Sequence, residues 1–397
     1  MSKHKSRQSR SAGGYREYRT ISGRMARETC RFASRPGLSE WDSIPVAMAL
    51  HARYVRWERH QKVLLLPCGH GALGVWLGQA HPRIALSLAD THYVATQVAK
   101  ANLDRMPQGA TVTVGLPPAE ARFDAVVLLA PKGRALARLL LWAGRDALAP
   151  GGSLYVAGPK AGGIKSVLAD AEQLLGAPLR SEYGGGGRWA AYEPSEEAPL
   201  SEGFAVDGMR AGSYCLWQAE VGDLQHQMAT RPGVFSWREL DPASRLLLES
   251  LQLDRAAQIA DVGCGYGIIG LHLAKRHPRC QVTMVDVDTL ACECARQTLG
   301  LNGVSNAKVH LGDSLEGLGQ GYDVVVSNPP FHAAYDVTLQ MTHHLIAEAR
   351  VALVPGGLLA LVANRFLPYD RAMQRAFGNV TTLAETSRFR VLQSIRR

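Results

Sequence analysis

The 397-residue sequence predicts an α/β protein made of two tandem copies of one domain, each with a mostly parallel sheet covered by helices. Three observations predict this fold class. Short β-rich segments alternate with helical ones. A glycine-rich segment occurs twice at an offset of 196 residues, as VLLLPCGHGALG at 63–74 and IADVGCGYGIIG at 259–270. Later landmarks repeat in the same order: HPR at 81–83 and 277–279, Asp90 and Asp286, FDAVV at 123–127 and YDVVV at 322–326, and LAPGG at 148–152 and LVPGG at 353–357.

The alternation places each element of the second copy. Strands are predicted at 258–262, 281–286, 308–311, 323–327 and 358–363, with a closing β pair at 381–385 and 389–395. Helices are predicted at 268–275, 290–299 and 337–353. Gly, Glu and Pro are frequent at 181–202, where the domain boundary is expected. We therefore predict a first domain at 41–195, a linker at 196–230 and a second domain at 231–397.

The net charge of +9 is concentrated at the amino terminus. Residues 1–36 contain ten Lys and Arg against two Glu, so the remaining 361 residues are nearly neutral. Such a segment is typical of a disordered arm that contacts a phosphate backbone, or simply of a solvated tail. We predict that residues 1–40 form a disordered basic arm suited to RNA.

Composition and cysteine usage exclude several classes of protein. No apolar run approaches the roughly 20 residues needed to span a bilayer, and the polar amino terminus does not resemble a secretory signal. The seven cysteines are scattered, with no CxxC pair of metal-ligand spacing. The sequence therefore predicts a cytoplasmic protein with no membrane partner and no metal. It favours a monomer without fixing the oligomeric state.

The glycine segment of the second copy follows a strand and opens a helix. Gly263, Gly265 and Gly267 would let the backbone approach a ligand, and the helix N-terminus presents free N–H groups. Asp286 ends the next strand and can accept from ribose hydroxyls. These features predict an adenosine-type cofactor but fit NAD and other nucleosides equally well.

A second motif narrows the chemistry. Ser327-Asn328-Pro329-Pro330-Phe331-His332 ends the fourth strand, at the same edge of the sheet as the glycine loop. The Asn328 side-chain oxygen and the Pro329 carbonyl can both accept from one planar amino group, and Phe331 offers a face for a flat base. A conjugated amine is a poor nucleophile, and hydrogen bonds that favour a pyramidal nitrogen expose its lone pair to a methyl donor. The motif therefore indicates amine methylation.

On these residues the second half resembles class I methyltransferases that act on exocyclic amines. The whole chain resembles the RsmC-type ribosomal RNA guanine-N2 methyltransferases, in which a degenerate copy precedes an active one. Further matching stretches are 232–236 (PGVFS), 240–244 (LDPAS), 362–369 (VANRFLPY) and 386–391 (TSRFRV). The resemblance is dense over 231–397, looser over 45–195, and does not cover the basic arm. It implies two tandem Rossmann-like class I methyltransferase domains, the first degenerate.

The resemblance also implies a role for each matching residue. The cofactor would be S-adenosylmethionine, and the partner would be ribosomal RNA or a ribosomal subunit, most simply the small one. Residues implied to bind the cofactor are Phe235, Ser236, Asp261, Gly263, Gly265, Gly267, Asp286 (ribose), Asp313 (adenine amino group) and Asn328. Residues implied to hold the flipped guanine and orient its N2 are Asn328, Pro329, Pro330 and Phe331. His332 receives no role.

The first copy lacks this chemistry. Pro67 stands where Gly263 does, Leu65 replaces Asp261, and residues 129–132 (LAPK) replace the Asn-Pro-Pro-Phe motif. Asp90 remains, but one carboxylate does not make a binding site. We interpret the first copy as inactive and retained for substrate recognition or for folding support.

Four other functions stay open at this stage. The same motif occurs in enzymes that methylate adenine N6 or a protein glutamine N5. An NAD-dependent oxidoreductase is disfavoured because the fourth strand ends without a proton-relay residue. A non-catalytic RNA-binding assembly factor is disfavoured by the intact Asn-Pro-Pro-Phe motif.

Overall fold

The computed structural model describes residues 14–58, 61–104, 106, 109–194, 202–253, 257–330 and 335–397, with backbone alone at 335–338. This part of the chain contains two seven-stranded sheets and two separate hairpins. The predicted α/β class with two tandem sheets is confirmed.

The first copy has its sheet in the strand order β5-β4-β3-β6-β7-β9-β8. All neighbours are parallel except β9, which runs antiparallel to β7 and β8. Its elements are β1 (Arg19–Met25), β2 (Glu28–Ser34), α1 (Val46–Tyr54), β3 (Lys62–Leu66), α2 (Ala72–Ala80), β4 (Ala85–Asp90), α3 (Tyr93–Leu103), β5 (Thr111–Val114), β6 (Phe123–Leu129), α4 (Arg134–Asp146), β7 (Leu148–Pro159), α5 (Ile164–Leu175), β8 (Arg180–Gly184) and β9 (Gly187–Tyr192).

The second copy repeats this order as β14-β13-β12-β15-β16-β18-β17. Its elements are β10 (Cys215–Val221), β11 (Leu224–Thr230), α6 (Pro242–Ser250), β12 (Gln258–Val262), α7 (Ile268–Arg276), β13 (Gln281–Asp286), α8 (Thr289–Leu301), β14 (Ala307–Leu311), β15 (Tyr322–Ser327), α9 (Tyr335–Ala352), β16 (Leu353–Asn364), α10 (Tyr369–Phe377), β17 (Thr381–Glu385) and β18 (Phe389–Ile395). The strands and helices predicted in the second copy are all present: four strands have the predicted ends, and the ends of the other elements are shifted by at most five residues.

The sheet topology fixes where a ligand can bind. Central strands such as β6 and β15 are buried along almost their whole length, as expected for a parallel sheet covered on both faces. Strand β12 lies between β13 and β15, so the chain winds outward from it in both directions. A crevice opens beyond the carboxyl ends of strands at such a switch point. The glycine loop after β12 and the Asn-Pro-Pro turn after β15 therefore meet there.

The prediction of a disordered arm at 1–40 is wrong for its second half. Strands β1 and β2 pair antiparallel from Arg19 with Ser34 to Met25 with Glu28. Alternate residues of β2, namely Cys30, Phe32 and Ser34, are buried while the basic side chain of Arg31 is exposed. Period-two burial stabilises this hairpin despite its charge. Residues 1–13 of the predicted arm lie outside the described residues.

The linker predicted at 196–230 is corrected in the same way. Strands β10 and β11 form a second hairpin that packs on α8 of the second copy. The Thr298 hydroxyl bonds both the N–H and the carbonyl of Ala229. In the first copy, Asn102 bonds both backbone groups of Ala33 at the equivalent site. Each hairpin therefore belongs to the copy that follows it in the chain. The first copy begins near residue 19, and the second begins near residue 215.

Equivalent loops of the two copies contact each other. The Tyr93 N–H donates to the Val287 carbonyl at 2.7 Å, and the Thr289 N–H donates to the Thr91 carbonyl at 2.9 Å. These four positions are related by the 196-residue offset. A local two-fold axis that relates the two loops therefore converts one hydrogen bond into the other. The loop after β4 of the first copy supports the loop after β13, beside Asp286.

Two absences concern the described part of the chain alone. No helix there is long and apolar enough to cross a membrane. No group of three or more His, Cys, Asp or Glu side chains there is arranged to hold a metal ion.

Candidate active site

The crevice holds a cavity of ≈ 330 Å³, called here the central pocket. Its wall is built from the turns after the central strands of the second copy, the residues before α6, the helix α9 and one residue of the first copy. Residues that line it include Tyr15, Phe235, Gly263, Gly265, Asp286, Asp288, Asp313, Ser314, Asn328, Pro329, Pro330 and His344.

The glycine loop forms one side of the central pocket. Gly263 and Gly265 have φ of 72° and 55°, and a Cβ added at either would enter open space. Positive φ favours glycine, and the absence of both side chains leaves a concave strip of backbone for a ligand. These two glycines therefore fit the predicted cofactor role.

Gly267 occupies a tightly packed position, and its predicted contact with the cofactor stays a prediction. It does not line the central pocket; its φ is 93° and it precedes α7. A Cβ there would lie 2.9 Å from a Met284 side-chain carbon and 3.1 Å from the Ala295 methyl. Gly267 thus permits close packing of α7 on strand β13 and helix α8.

Asp286 anchors the glycine loop as well as facing the central pocket. Its Oδ2 accepts from the Gly265 N–H at 2.8 Å, and its Oδ1 accepts from the Asp288 N–H at 2.9 Å. Burial raises the pKa of this carboxyl above its usual range, and the two backbone donors oppose that rise. Each oxygen keeps a second lone pair, so the carboxylate can still accept from ribose hydroxyls.

Asp261 is placed behind the central pocket rather than on its wall. Its side chain is fully buried, and Oδ2 accepts from the Gly270 N–H at 2.8 Å. Within the described residues Oδ1 has no hydrogen-bond partner. Burial, and then the nearby Asp286 charge, raise the pKa of Asp261 to about 7. The structure thus gives Asp261 no direct contact surface for the cofactor.

The pKa of Asp261 predicts a pH-dependent stability. The folded pKa of about 7 exceeds the usual value of 3.8, so this group favours folding below pH 3.8 and loses that contribution as the pH rises through 7. Asp261→Asn removes the titration. We expect the free energy of unfolding of the variant, relative to the original protein, to increase from pH 5 to pH 8 in urea titrations. Parallel pH curves for the two proteins would contradict the assignment.

Asn328 is held by the start of α6. Its Nδ2 donates to Asp241 Oδ2 and to Ser244 Oγ, both at 2.9 Å. Asp241 is the N-cap of α6 and also accepts from the Ser244 N–H at 2.8 Å. A carboxylate only accepts, so it fixes which side of the amide carries the hydrogens. Both amide hydrogens are used, and Oδ1 remains an acceptor at the central pocket.

Asp241 and Ser244 therefore orient the acceptor without lining the pocket. Both residues lie in the matching stretch 240–244, for which no individual role was predicted. Their spacing from Pro242 at the first helical position was the available signal, because it marks Asp241 as a helix cap. The cap faces the end of β15 because α6 packs beside β16 and β18.

This geometry predicts the effect of losing Asp241. Asp241→Ala should lower kcat by about tenfold to a hundredfold, because the amide can rotate, and lower stability by about 1 kcal/mol through the lost cap. Asp241→Asn retains an oxygen acceptor and should keep most of the activity. Single-turnover rates and urea unfolding of both variants check this. An equal loss of turnover in the two variants would show that the charge, not the acceptor, matters.

The remaining predicted residues fall into three groups. Phe235, Pro329 and Pro330 line the central pocket, and the Phe235 side chain is 44% exposed. Ser236 adjoins it in a left-handed turn with φ of 52° but does not line it. Phe331 lies outside the described residues.

Asp313 lines the central pocket and is held from an unexpected direction. Its Oδ1 accepts from the Tyr15 hydroxyl at 3.3 Å, and its Oδ2 accepts from Arg35 Nη2 at 2.7 Å. Both donors belong to the amino-terminal part of the chain that was predicted to be a disordered arm. A signal existed in the sequence, because Arg35-Pro36-Gly37 repeats Arg231-Pro232-Gly233 at the same 196-residue offset.

The degenerate copy has an apolar counterpart of the Asn328 cluster. Leu129 stands at the position of Asn328, and the 196-residue offset places Pro45 and Met48 at the positions of Asp241 and Ser244. Asp90 binds its loop as Asp286 does, because its carboxylate accepts from the N–H groups of Gly69 and His92, each at 2.9 Å. The retained carboxylate thus fastens a loop.

Comparisons with known proteins agree with this arrangement. A family model described as "Methyltransferase small domain" matches residues 29–175 and 225–393. Ribosomal RNA small subunit methyltransferase C of Hahella chejuensis is 35% identical over 283 residues, 70% of this chain and 79% of the relative. The protein of the same name from Pseudomonas aeruginosa is 34% identical over 289 residues, 70% and 84% of the two chains.

A solved structure matches nearly the whole chain. The 16S rRNA N2 G1207 methyltransferase RsmC of T. thermophilus, solved with AdoMet and guanosine, has 28% identity and a TM-score of 0.79. The match covers 97% of this chain and 99% of that one. Both copies of the domain and their arrangement are therefore shared.

The duplicated sheet, the glycine loop and the Asn-Pro-Pro turn define a class I methyltransferase. Its first copy has the fold without the polar site, and its second copy has both. The chain belongs to the methyltransferase small domain family and, within it, to the ribosomal RNA small subunit methyltransferase C, or RsmC-type, group.

Proposed function

We propose that this protein transfers a methyl group from S-adenosylmethionine to the N2 amino group of a guanine in small-subunit ribosomal RNA. The observation that carries the proposal is the Asn328 amide, whose hydrogens are consumed by Asp241 and Ser244 and whose oxygen is left as an acceptor at the central pocket. The RsmC-type relatives support the choice of guanine and of the small subunit.

The residues of the central pocket fit the cofactor. Gly263 and Gly265 leave a cradle that a Cβ would fill, next to the carboxylate of Asp286. In the proposed placement the loop faces the methionine part, Asp286 accepts from the ribose hydroxyls, and Asp313 faces the adenine. Phe235 covers the pocket from the segment before α6. When bound, S-adenosylmethionine supplies an electrophilic methyl group on a sulfonium.

The target amine is held by acceptors at the end of β15. Asn328 Oδ1 and the Pro329 carbonyl accept its two hydrogens, which draws the nitrogen toward a pyramidal form and directs the lone pair at the methyl group. Catalysis then comes mainly from positioning, and no covalent enzyme intermediate is required. The amine loses a proton to water after transfer, so no strong base is needed. A base must leave its stack to reach the pocket, which favours single-stranded or loosely paired RNA.

Labelled methyl transfer tests the proposal. S-adenosylmethionine carrying a labelled methyl group is incubated with deproteinised ribosomal RNA and with each ribosomal subunit, and nucleosides are separated by mass spectrometry. We expect N2-methylguanosine from the small-subunit fraction, formed at least about a hundredfold more slowly with Asn328→Ala. Labelled N6-methyladenosine, or label in protein glutamine, would overturn the choice of substrate. No label in any fraction would overturn the catalytic assignment.

A further inference from the structure

The central pocket is not built by the second copy alone. Tyr15, which precedes the hairpin of the degenerate copy, lines it together with Asp313 and His344. The Tyr15 hydroxyl donates to Asp313 Oδ1, and its ring lies 4.8 Å from the His344 ring of α9. A residue almost 300 positions earlier in the chain therefore forms part of the wall.

Two arginines join Tyr15 in this contact. Arg35 and Asp313 form an ion pair of 2.7 Å in which the two side chains are only 7% and 4% exposed. Arg16 donates to the Asp313 carbonyl at 2.8 Å and pairs with Glu348 of α9 at 2.9 Å. A buried ion pair becomes strongly unfavourable when one partner is lost, because the other charge stays desolvated. Arg35 and Asp313 therefore depend on each other across the two copies.

Arg35 and Gly37 form the surface on which the Tyr15 ring packs. The Arg35 guanidinium lies 5.4 Å from the ring centroid, in a cation–π contact. Gly37 has φ of 99°, and a Cβ there would lie 2.6 Å from the Tyr15 hydroxyl oxygen. Any side chain at this position would push the ring away from Asp313. Glycine at position 37 therefore allows both the turn with positive φ and the contact of Tyr15 with Asp313.

The equivalent contact on the opposite side of the local two-fold axis is absent. Leu116 occupies the position of Asp313 in the first copy, directly after Gly115, whose N–H bonds the Asp90 carbonyl as that of Gly312 bonds Asp286. Arg231, the counterpart of Arg35, instead bonds the Gly208 carbonyl at 3.0 Å and Glu293 at 3.3 Å. Among the described residues, the arginine–aspartate pair therefore forms on one side of the axis alone, where it borders the central pocket.

From these contacts we propose that Tyr15, Arg16 and Arg35 form an N-terminal latch that completes the adenine end of the cofactor pocket. The degenerate copy is thereby a structural part of the cofactor site of the active copy. The latch holds Asp313 in place and closes the pocket on the side away from Asn328. This inference rests on the proposed cofactor and its orientation.

Cofactor affinity without RNA tests the latch. Isothermal titration of the full chain with S-adenosylhomocysteine should give a dissociation constant about tenfold higher for Tyr15→Ala and for Arg35→Met, and about threefold higher for Tyr15→Phe. Arg31→Met is the matched control, because Arg31 is an exposed arginine on strand β2, which ends directly before Arg35. It should bind as the original protein does. Adenosine, used as a second probe, should show the same ratios because it retains the adenine end.

The outcomes separate the possible explanations. Unchanged affinity in both Tyr15→Ala and Arg35→Met, or tighter binding because Tyr15 obstructs the pocket, would overturn the proposal. A loss seen with S-adenosylhomocysteine but not with adenosine would overturn its placement at the adenine end. Tyr15→Phe removes one hydrogen bond, so urea unfolding should show a loss of about 1 kcal/mol at most, and a folding defect is separable from a binding defect. If the original protein binds cofactor but methylates no RNA, the proposed function fails while the latch still stands.

Discussion

Asn328→Ala is expected to lower kcat by about a hundredfold to a thousandfold while the dissociation constant for S-adenosylmethionine changes by less than about threefold. In the proposed mechanism the oriented amide oxygen contacts the amine as its nitrogen becomes pyramidal, so the lost interaction belongs mainly to the transition state. The Asn328 side chain is not part of the glycine cradle or of the carboxylates that are proposed to hold the cofactor. Single-turnover methylation of small subunits and titration calorimetry measure the two quantities separately.

The chain provides an internal control for this variant. Leu129 occupies the equivalent strand end in the degenerate copy and is buried. Leu129→Ala should cost about 2–5 kcal/mol of stability through a cavity and leave kcat unchanged. If Asn328→Ala weakened cofactor binding as much as it slowed turnover, Asn328 would be a structural residue of the β15 turn, and the catalytic assignment would be wrong.

The second large effect is expected from paired substitutions at Asp286 and Asp90. Both carboxylates accept from two backbone N–H groups with nearly identical geometry, yet only Asp286 borders the central pocket. Asp286→Asn should raise the dissociation constant for S-adenosylmethionine by about a hundredfold, because charged acceptors bind hydroxyls more strongly than amides. Asp90→Asn should leave that constant within about threefold of the original.

Both variants should lose a similar amount of stability, since each replaces a carboxylate oxygen that accepts from a loop N–H. Calorimetric titration and urea unfolding on the same preparations check the comparison. Comparable losses of cofactor affinity in the two variants would mean that Asp286 acts only by fastening the glycine loop. In that case the proposed ribose contact would be wrong.

Much of the fold was predictable because most elements occur twice in the sequence, once in each copy. The apolar strands of a doubly covered sheet and the repeated glycine segment located every central element, including β12 and β15. The hairpin β1–β2 was missed because Arg24 and Arg31 add positive charge to it while occupying the exposed positions of an alternating pattern. A charge count over residues 1–36 does not show that alternation. The repeat of Arg35-Pro36-Gly37 at Arg231-Pro232-Gly233 would have indicated that this segment belongs to the folded domain.

The site was predictable to the extent that its chemistry is local in sequence. Asn328, Asp286 and the glycines at 263 and 265 lie in short motifs next to strand ends, and the topology brings them together. A motif does not separate residues that line a pocket from those that shape the turn, which is why Asp261 and Gly267 were predicted to bind the cofactor together with Gly263 and Gly265. The contact of Tyr15 with Asp313 depends on how two domains pack, and no local pattern encodes that.

The paired loops at Thr91 and Thr289 have a consequence for how the molecule holds together. Equivalent residues that exchange hydrogen bonds across a two-fold axis form the kind of self-complementary face found in symmetric homodimers. Here the connecting segment makes the association intramolecular, so its strength does not fall on dilution. A covalent tether lets one half lose its chemistry without losing its partner. If the chain were cut between residues 192 and 215, the association of the two copies would depend on protein concentration. Cofactor affinity would then measure how much of the two-copy complex has formed.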